Sequence, residues 1–486
     1  MQRLSALDAS FLRVETPSAH MHVGWLSELE LAPGATALHA AELMRRVEAR
    51  LHLAPRFRQR VVTPAIGEAV WKDDPGFAID RHVEIVEKRI PGVAGVRRIC
   101  DRFLSEQLDR SRPLWRLLIL PRVGEGRAAV LGKVHHAMVD GIAAVELGML
   151  LFDGAVDAAP PEAVEWRAEH ASGPLRLAVD AAADSALDQF RAARRVASMG
   201  LAPRRTARVA DTMRRAALSI AEDALRPAPP SYMNVPISAR RTLVTQPIPF
   251  ARLDSLKRAL DGRRGAVKLN DVVLAVASGA LRRYAALRDE RPEPIRVMVP
   301  VSVRASEDAP ADGNRITFAF VELPLSEPEP LRRVALIRGE TAELKDSGRI
   351  AGSEALLRGM DALPGFMKER AARLAASPRM YNLTISNVPG PRVPLYAVGA
   401  KVASIYPVIP ISDGHALSIG VLSYAGSVHF AAYADPRALP DAGELATLFR
   451  ASIQELESAV GTSRPQAARR GAPEGSTRSP ARRAAR

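Results

Sequence analysis

Among the 486 residues there is one cysteine, Cys100, so no internal disulfide can staple the fold, and the chain reads as one that folds in a reducing compartment. Cys100 falls on the apolar stripe Val96, Ile99, Phe103 of an expected helix, which makes it a buried thiol. No stretch approaches the roughly 20 apolar residues of a spanning helix, because charge or proline interrupts every greasy run. The opening Met1-Gln2-Arg3-Leu4 is not followed by the apolar core of a signal peptide. On this reading secretion is not expected, and any contact with a bilayer is peripheral. Two catalytic signatures are also missing. Without Gly-x-Ser-x-Gly there is no nucleophile elbow, which disfavours covalent acyl-enzyme chemistry; without His-Glu-x-x-His there is no zinc hydrolase site, and no metal is expected.

Hydrophobic residues make up 47% and charged residues 25%, the balance of a folded chain, and the length calls for two domains or a pseudo-duplicated unit. The net charge of +14 is uneven: residues 461–486 hold seven arginines against one glutamate, in a Pro-, Ala-, Gly- and Ser-rich tail expected to be disordered. Basic charge raises nucleic-acid binding as a rival, but no aromatic–basic interleaving or helix-turn-helix pattern accompanies it, so no specific nucleic acid is expected.

Periodicity divides the chain into 1–160, a helical and Pro-rich linker 161–232, a second mixed region 233–460 and the tail. In the first part helices are predicted near 40–51, with Leu43, Val47 and Leu51 on one face, and near 95–108; strands are predicted at 115–120 and 128–134. In the second, helices at 253–260, 270–284 and 441–459 alternate with strands at 296–303, 316–323, 382–388, 415–423 and 427–433. The class is α/β.

The run His135-His136-Ala137-Met138-Val139-Asp140-Gly141 follows a strand too apolar to be half exposed. A catalytic base needs an imidazole held in one tautomer at the end of a rigid element, and this strand delivers two. Neighbouring strand residues face opposite ways, so one histidine serves as base and the other supports it. Asp140-Gly141 makes a tight turn into an apolar helix, with Gly141 free to adopt positive φ. Read alone, the pair fits equally a satisfied core histidine beside a turn.

Further segments accompany it: Leu4-Ser5-Ala6-Leu7-Asp8-Ala9-Ser10-Phe11, Pro113-Leu114-Trp115, Asn270-Asp271 and Ser386-Asn387-Val388-Pro389-Gly390-Pro391. The histidine run resembles the HHxxxDG signature of the coenzyme A-dependent acyltransferases, which include chloramphenicol acetyltransferases and peptide-synthetase condensation domains. With the other segments, in this order and over about residues 1–460, the chain resembles the bacterial wax ester synthase/diacylglycerol acyltransferase family. That resemblance implies two chloramphenicol-acetyltransferase-like domains, with mixed sheets and flanking helices, around a central substrate tunnel and joined by the helical linker.

It also implies that His136 is the general base. It would take the proton from the hydroxyl of diacylglycerol or a fatty alcohol as that oxygen attacks an acyl-CoA thioester, with acyl-CoA as co-substrate and no cofactor. His135 would support it, and Asp140 would hold the loop through an arginine, Arg304 or Arg315. Diacylglycerol ranks first as acceptor, fatty alcohol second. An amide-forming condensation domain and an inactive lipid-binding protein are the rivals of other classes.

For the remaining segments, Pro113, Leu114 and Trp115 read as packing at a strand entry. Asn270 or Asp271 reads as a helix cap or a shaper of the domain interface. Ser386 and Asn387 are candidates for polar contacts to the reacting carbonyl or the CoA arm, beside a stiff Pro-Gly-Pro turn. The other histidines considered are His20, His22 and His415; His20 and His22, flanking Met21, read as structural, with lining of the acceptor side as the functional alternative.

Long-chain substrates require a surface, so a cytoplasmic enzyme peripherally attached to the inner face of the plasma membrane or to lipid droplets is expected. Residues 204–225 offer a contact, with Val209, Met213, Ala216 and Ile220 on one helical face and Arg204, Arg205, Arg208, Arg214 and Arg215 flanking it. The same face would serve as readily to pack across two domains.

Overall fold

The computed structural model describes residues 2–64, 69–138, 148, 150–168, 226–264, 266–303, 315–346 and 365–462. In its first half lie β1 (Gln2–Arg3), α1 (Ala6–Val14), β2 (His22–Glu30), α2 (Ala40–Arg50), β3 (Gln59–Val62), β4 (Val70–Asp73), β5 (Val83–Ile85), α3 (Gly92–Ser105), β6 (Trp115–Val123) and β7 (Arg127–His135). The second half carries β8 (Thr242–Pro249), α4 (Phe250–Arg264), α5 (Leu269–Leu287), β9 (Ile295–Val303), β10 (Arg315–Leu323), α6 (Pro330–Asp346) and α7 (Gly365–Ala375). It closes with β11 (Leu383–Pro389), β12 (Tyr396–Ala397), β13 (Ala400–Val408), β14 (Leu417–Tyr424), β15 (Ser427–Ala434) and α8 (Leu445–Thr462).

Two six-stranded sheets organise these elements, in the orders β12-β13-β2-β7-β6-β5 and β10-β9-β11-β14-β15-β8; a small third sheet runs β1-β4-β3. Each large sheet is mixed: β5 is parallel to β6 in the first, and β11 is parallel to both β9 and β14 in the second, while their other pairs are antiparallel. The α/β class with two mixed sheets and flanking helices is the one expected from the sequence.

Apolar continuity explains the central strands. Every residue of β7 after Arg127 is buried, which is the burial of a strand covered on both faces. In α5 the run Asp271–Leu281 is buried all round, because α8, α6 and α4 pack against it. Helix α3 starts at Gly92 and stops at Ser105, three residues earlier at each end than its apolar stripe indicates, and Cys100 is buried on it as expected.

The chain order conceals one arrangement. Strand β13 follows β11 of the second sheet, yet it pairs antiparallel with β2 over Lys401–Val408 and so extends the first. A boundary at residue 233 assigns 396–408 to the second half; strand pairing puts them in the first sheet. The burial pattern of β13, almost continuous from Val402 to Val408, marks a covered strand but not which sheet it joins. From there β13 also packs against β14 and β15, joining the two halves. The segment 204–225, most of the linker, and the tail beyond Thr462 lie outside the described residues; Gly461 and Thr462, expected in the disordered tail, are instead the last residues of α8, which runs on through them.

Candidate active site

Neighbouring strands hold the backbone of the histidine pair. His135 is the last residue of β7 and sits opposite His22 of β2. Its N–H donates to Leu114 O at 2.9 Å, and the N–H of His136 donates to Met21 O, also at 2.9 Å. Met21, between His20 and His22, has φ of 48°, a left-handed conformation unusual for a residue with a side chain. From His136 to Met138 the strand tightens into a 3-10 turn. Alternation therefore ends at the pair: His135 is 0% exposed, while His136 is only half-buried.

His135 Nδ1 accepts the N–H of Ala137 at 3.0 Å, which assigns its proton to Nε2. That Nε2 faces Glu15 Oε2 at 3.6 Å, beyond hydrogen-bond length but within electrostatic contact. Glu15 caps the C-terminus of α1, and its side chain is 1% exposed. Arg110 donates to Glu15 Oε2 through Nε at 2.7 Å and through Nη2, and from Nη2 to Leu12 O at 2.8 Å. Burial pushes the Glu15 carboxyl up, but the His135 imidazole, with Gln107 and Arg110, outweighs it and holds it below the usual carboxylate range.

The His136 ring is stacked under Phe11 of α1, with centroids 3.7 Å apart and planes 18° from parallel. Burial lowers its pKa to about 4, its own backbone carbonyl opposing and His135 adding to the fall. The ring is thus neutral at neutral pH and able to accept a proton. Its Nδ1 is buried without a hydrogen-bond partner.

Behind the pair lies a basic layer. His22 Nε2 accepts the N–H of Leu108 at 3.3 Å, and His20 Nε2 is 2.9 Å from Pro17 O. Burial, then the charge of Lys133, holds the His22 pKa well below its ordinary value. Lys133, two residues before His135 and fully buried, donates to the carbonyls of Phe103 and Glu106 at the end of α3; burial brings its pKa down to about 7.

The other expected residues fall into separate groups. Leu114 supports the histidine pair through its carbonyl, whereas Trp115 turns to the core, donating Nε1–H to Phe57 O at 2.7 Å and stacking on His82. Asp271 Oδ2 accepts the Lys268 N–H at 2.8 Å, the side chain-to-backbone bond of a helix N-terminus, and Oδ1 accepts from Thr341 at 2.9 Å. Asn270 and Asn387, far apart in sequence, meet through Asn387 Nδ2 and Asn270 Oδ1 at 3.3 Å. Ser386 is buried in β11 opposite Gly420. His415 is stacked on Tyr381 in the second half, at 4.2 Å. Asp140, Gly141 and Arg304 lie outside the described residues, as does the side chain of Arg315.

Sequence reasoning gave no role to Phe11 and passed over Glu15 and Lys133. Phe11 stands inside the quoted opening segment. Lys133 had a legible signal, a lone charge in an apolar strand.

Residues 4–273 match the wax ester synthase/diacylglycerol acyltransferase catalytic domain, and residues 312–457 match the WS/DGAT C-terminal domain. A probable diacylglycerol O-acyltransferase of Mycobacterium tuberculosis is 33% identical over 473 residues, covering 93% of this chain and 98% of that protein. Another from the same species is 30% identical over 481 residues, covering 97% and 99%. Among solved structures, the wax ester synthase/diacylglycerol acyltransferase from Marinobacter aquaeolei VT8 superposes with a TM-score of 0.67 at 22% identity, over 95% of this chain and 100% of that one.

Proposed function

Because this chain belongs to the wax ester synthase/diacylglycerol acyltransferase family, we propose that it moves a long-chain acyl group from acyl-CoA to the hydroxyl of diacylglycerol, giving triacylglycerol. The observation that carries the catalytic assignment is the state of His136: a neutral, half-buried imidazole at a strand end, its Nδ1 buried and its ring held under Phe11. In this reading His136 Nε2 takes the proton of the acceptor hydroxyl as its oxygen attacks the thioester carbonyl. The tetrahedral intermediate collapses by breaking the C–S bond, and the proton passes to the departing thiolate, leaving CoA and the new ester. In this reading His135 supports the base and no cofactor takes part.

Ser386 and Asn387 are the proposed polar contacts for the acyl-CoA side, and the Asn270–Asn387 bond would hold that strand end in place. Fatty-alcohol acylation is the second reading, favoured by the wax ester synthase likeness of the Marinobacter structure. Among the described residues no helix is long and apolar enough to cross a membrane. Peripheral attachment to the inner face of the plasma membrane or to lipid droplets is proposed from the character of the substrates.

The test is purified protein with labelled palmitoyl-CoA and, separately, dioleoylglycerol, hexadecanol or a long-chain amine. Triacylglycerol as main product supports the first reading and wax ester the second. Amide alone points to condensation chemistry, and CoA release with no acceptor, or no release at all, overturns the proposal.

A further inference from the structure

One turn of helix grips both histidines. Phe11 and Glu15 are four residues apart at the end of α1, joined by the bond from Glu15 N–H to Phe11 O at 3.1 Å. Residues so spaced share a face. Phe11 lies on the His136 ring and Glu15 faces His135. A carboxylate with 1% of its side chain exposed is costly to bury, which calls for an account of what it does there.

The two nitrogens of His135 meet opposite demands. On one side the Ala137 N–H points at Nδ1 and requires a lone pair; on the other, Glu15 Oε2 stands before Nε2 and favours a proton. The neutral Nε2–H form satisfies both. The Nδ1–H tautomer would set two N–H groups against each other at 3.0 Å and a lone pair against the carboxylate. The doubly protonated ring would satisfy Glu15 but not Ala137, and it would add charge beside Lys133 and His22. Resting on the acyl-transfer reading above, we propose that Glu15, backed by Arg110, is a positioning residue for catalysis. Its carboxylate keeps the His135 proton on Nε2, so that Nδ1 accepts the Ala137 N–H and fixes the turn presenting His136.

A merely structural role, tying α1 to the segment that carries Arg110, makes a different prediction. Replacing Glu15 would then lower stability without altering the protonation of His135 or the turnover of the folded fraction.

The experiment uses the full chain labelled with 15N-histidine, as wild type, Glu15→Gln and Glu15→Ala. Ring nitrogen shifts report the His135 tautomer, and steady-state rates are taken with palmitoyl-CoA and whichever acceptor the wild type uses. In wild type His135 is expected as neutral Nε2–H. Glu15→Ala should mix the tautomers and cut kcat by about 10- to 100-fold, the usual effect of removing a group that orients a functional histidine, with KM for palmitoyl-CoA nearly unchanged. Glu15→Gln, whose amide oxygen can still accept the proton, should keep the tautomer and recover most of the rate. Where alanine lowers the folded yield, Glu15→Leu, closer in volume and free of buried charge, carries the same prediction. An unmixed Nε2–H tautomer in Glu15→Ala or Glu15→Leu, whatever the rate, overturns the proposal, as does a mixed tautomer with undiminished kcat. If the wild type transfers no acyl group, the functional reading fails, while the tautomer comparison still decides whether Glu15 sets His135.

Discussion

Trp115 shows what single residues contribute away from the chemistry. Its indole N–H is bonded to Phe57 O, and its ring is stacked on His82, so Trp115→Phe keeps an aromatic body but leaves a buried carbonyl without its donor. The expected cost is about 1–3 kcal/mol, read from the urea midpoint. The histidines give a pH dependence. His20, His22, His82, His136, His415 and His429 are all held below their ordinary pKa, burial being the first cause in each. Below about pH 6.5 the unfolded chain binds protons that the folded one refuses, so stability is full above that value and declines as pH falls towards 4, the value that His136 and His429 reach. Thermal unfolding should show Tm falling from pH 7 to pH 5; a Tm constant or rising over that range would contradict the burial of these rings. The histidine pair was legible in sequence because it ends an apolar strand. Its neighbours were not: Phe11 and Glu15 reach it across some 120 residues of chain, and no local period reports such a contact.

At the scale of elements, β2 and β7 carry the site between them, and their contact depends on a glycine. Gly132 lies opposite Trp25, and a Cβ there would sit 2.1 Å from the indole. Gly132→Ala must therefore push Trp25 or the strand aside, three residues before His135. Overpacking of this kind costs about 1–3 kcal/mol, and the urea midpoint should fall accordingly, whereas an unchanged midpoint would mean that the indole can move freely. Strands such as β6 and β7 were readable because they are continuous apolar runs, and α2 and α3 because they keep a helical stripe. The longer strands β2, β8 and β13 were not predicted, their apolar runs being broken by polar residues or proline, and neither were β3, β4 and β12, since segments of two to four residues carry too little pattern.

For the molecule as a whole, the exchange of β13 makes the halves interdependent. A fragment of residues 2–233 would lack β13 and leave β2 as an open sheet edge, a template for wrong pairing. It should aggregate when expressed alone and become soluble when residues 234–462 are co-expressed; a soluble, folded lone fragment would show that β13 is dispensable. Two mixed α/β units were legible from the alternation of elements, but the crossing strand was not, because sheet membership is decided by pairing partners hundreds of residues away. The account as a whole stands on one imidazole. The most direct measurement is kcat for acyl transfer from palmitoyl-CoA by purified wild type, His135→Ala and His136→Ala, each checked for folding. The account predicts that His136→Ala loses about 10²- to 10⁴-fold, the contribution of a general base, with His135→Ala less impaired. Equal rates for wild type and His136→Ala would contradict it.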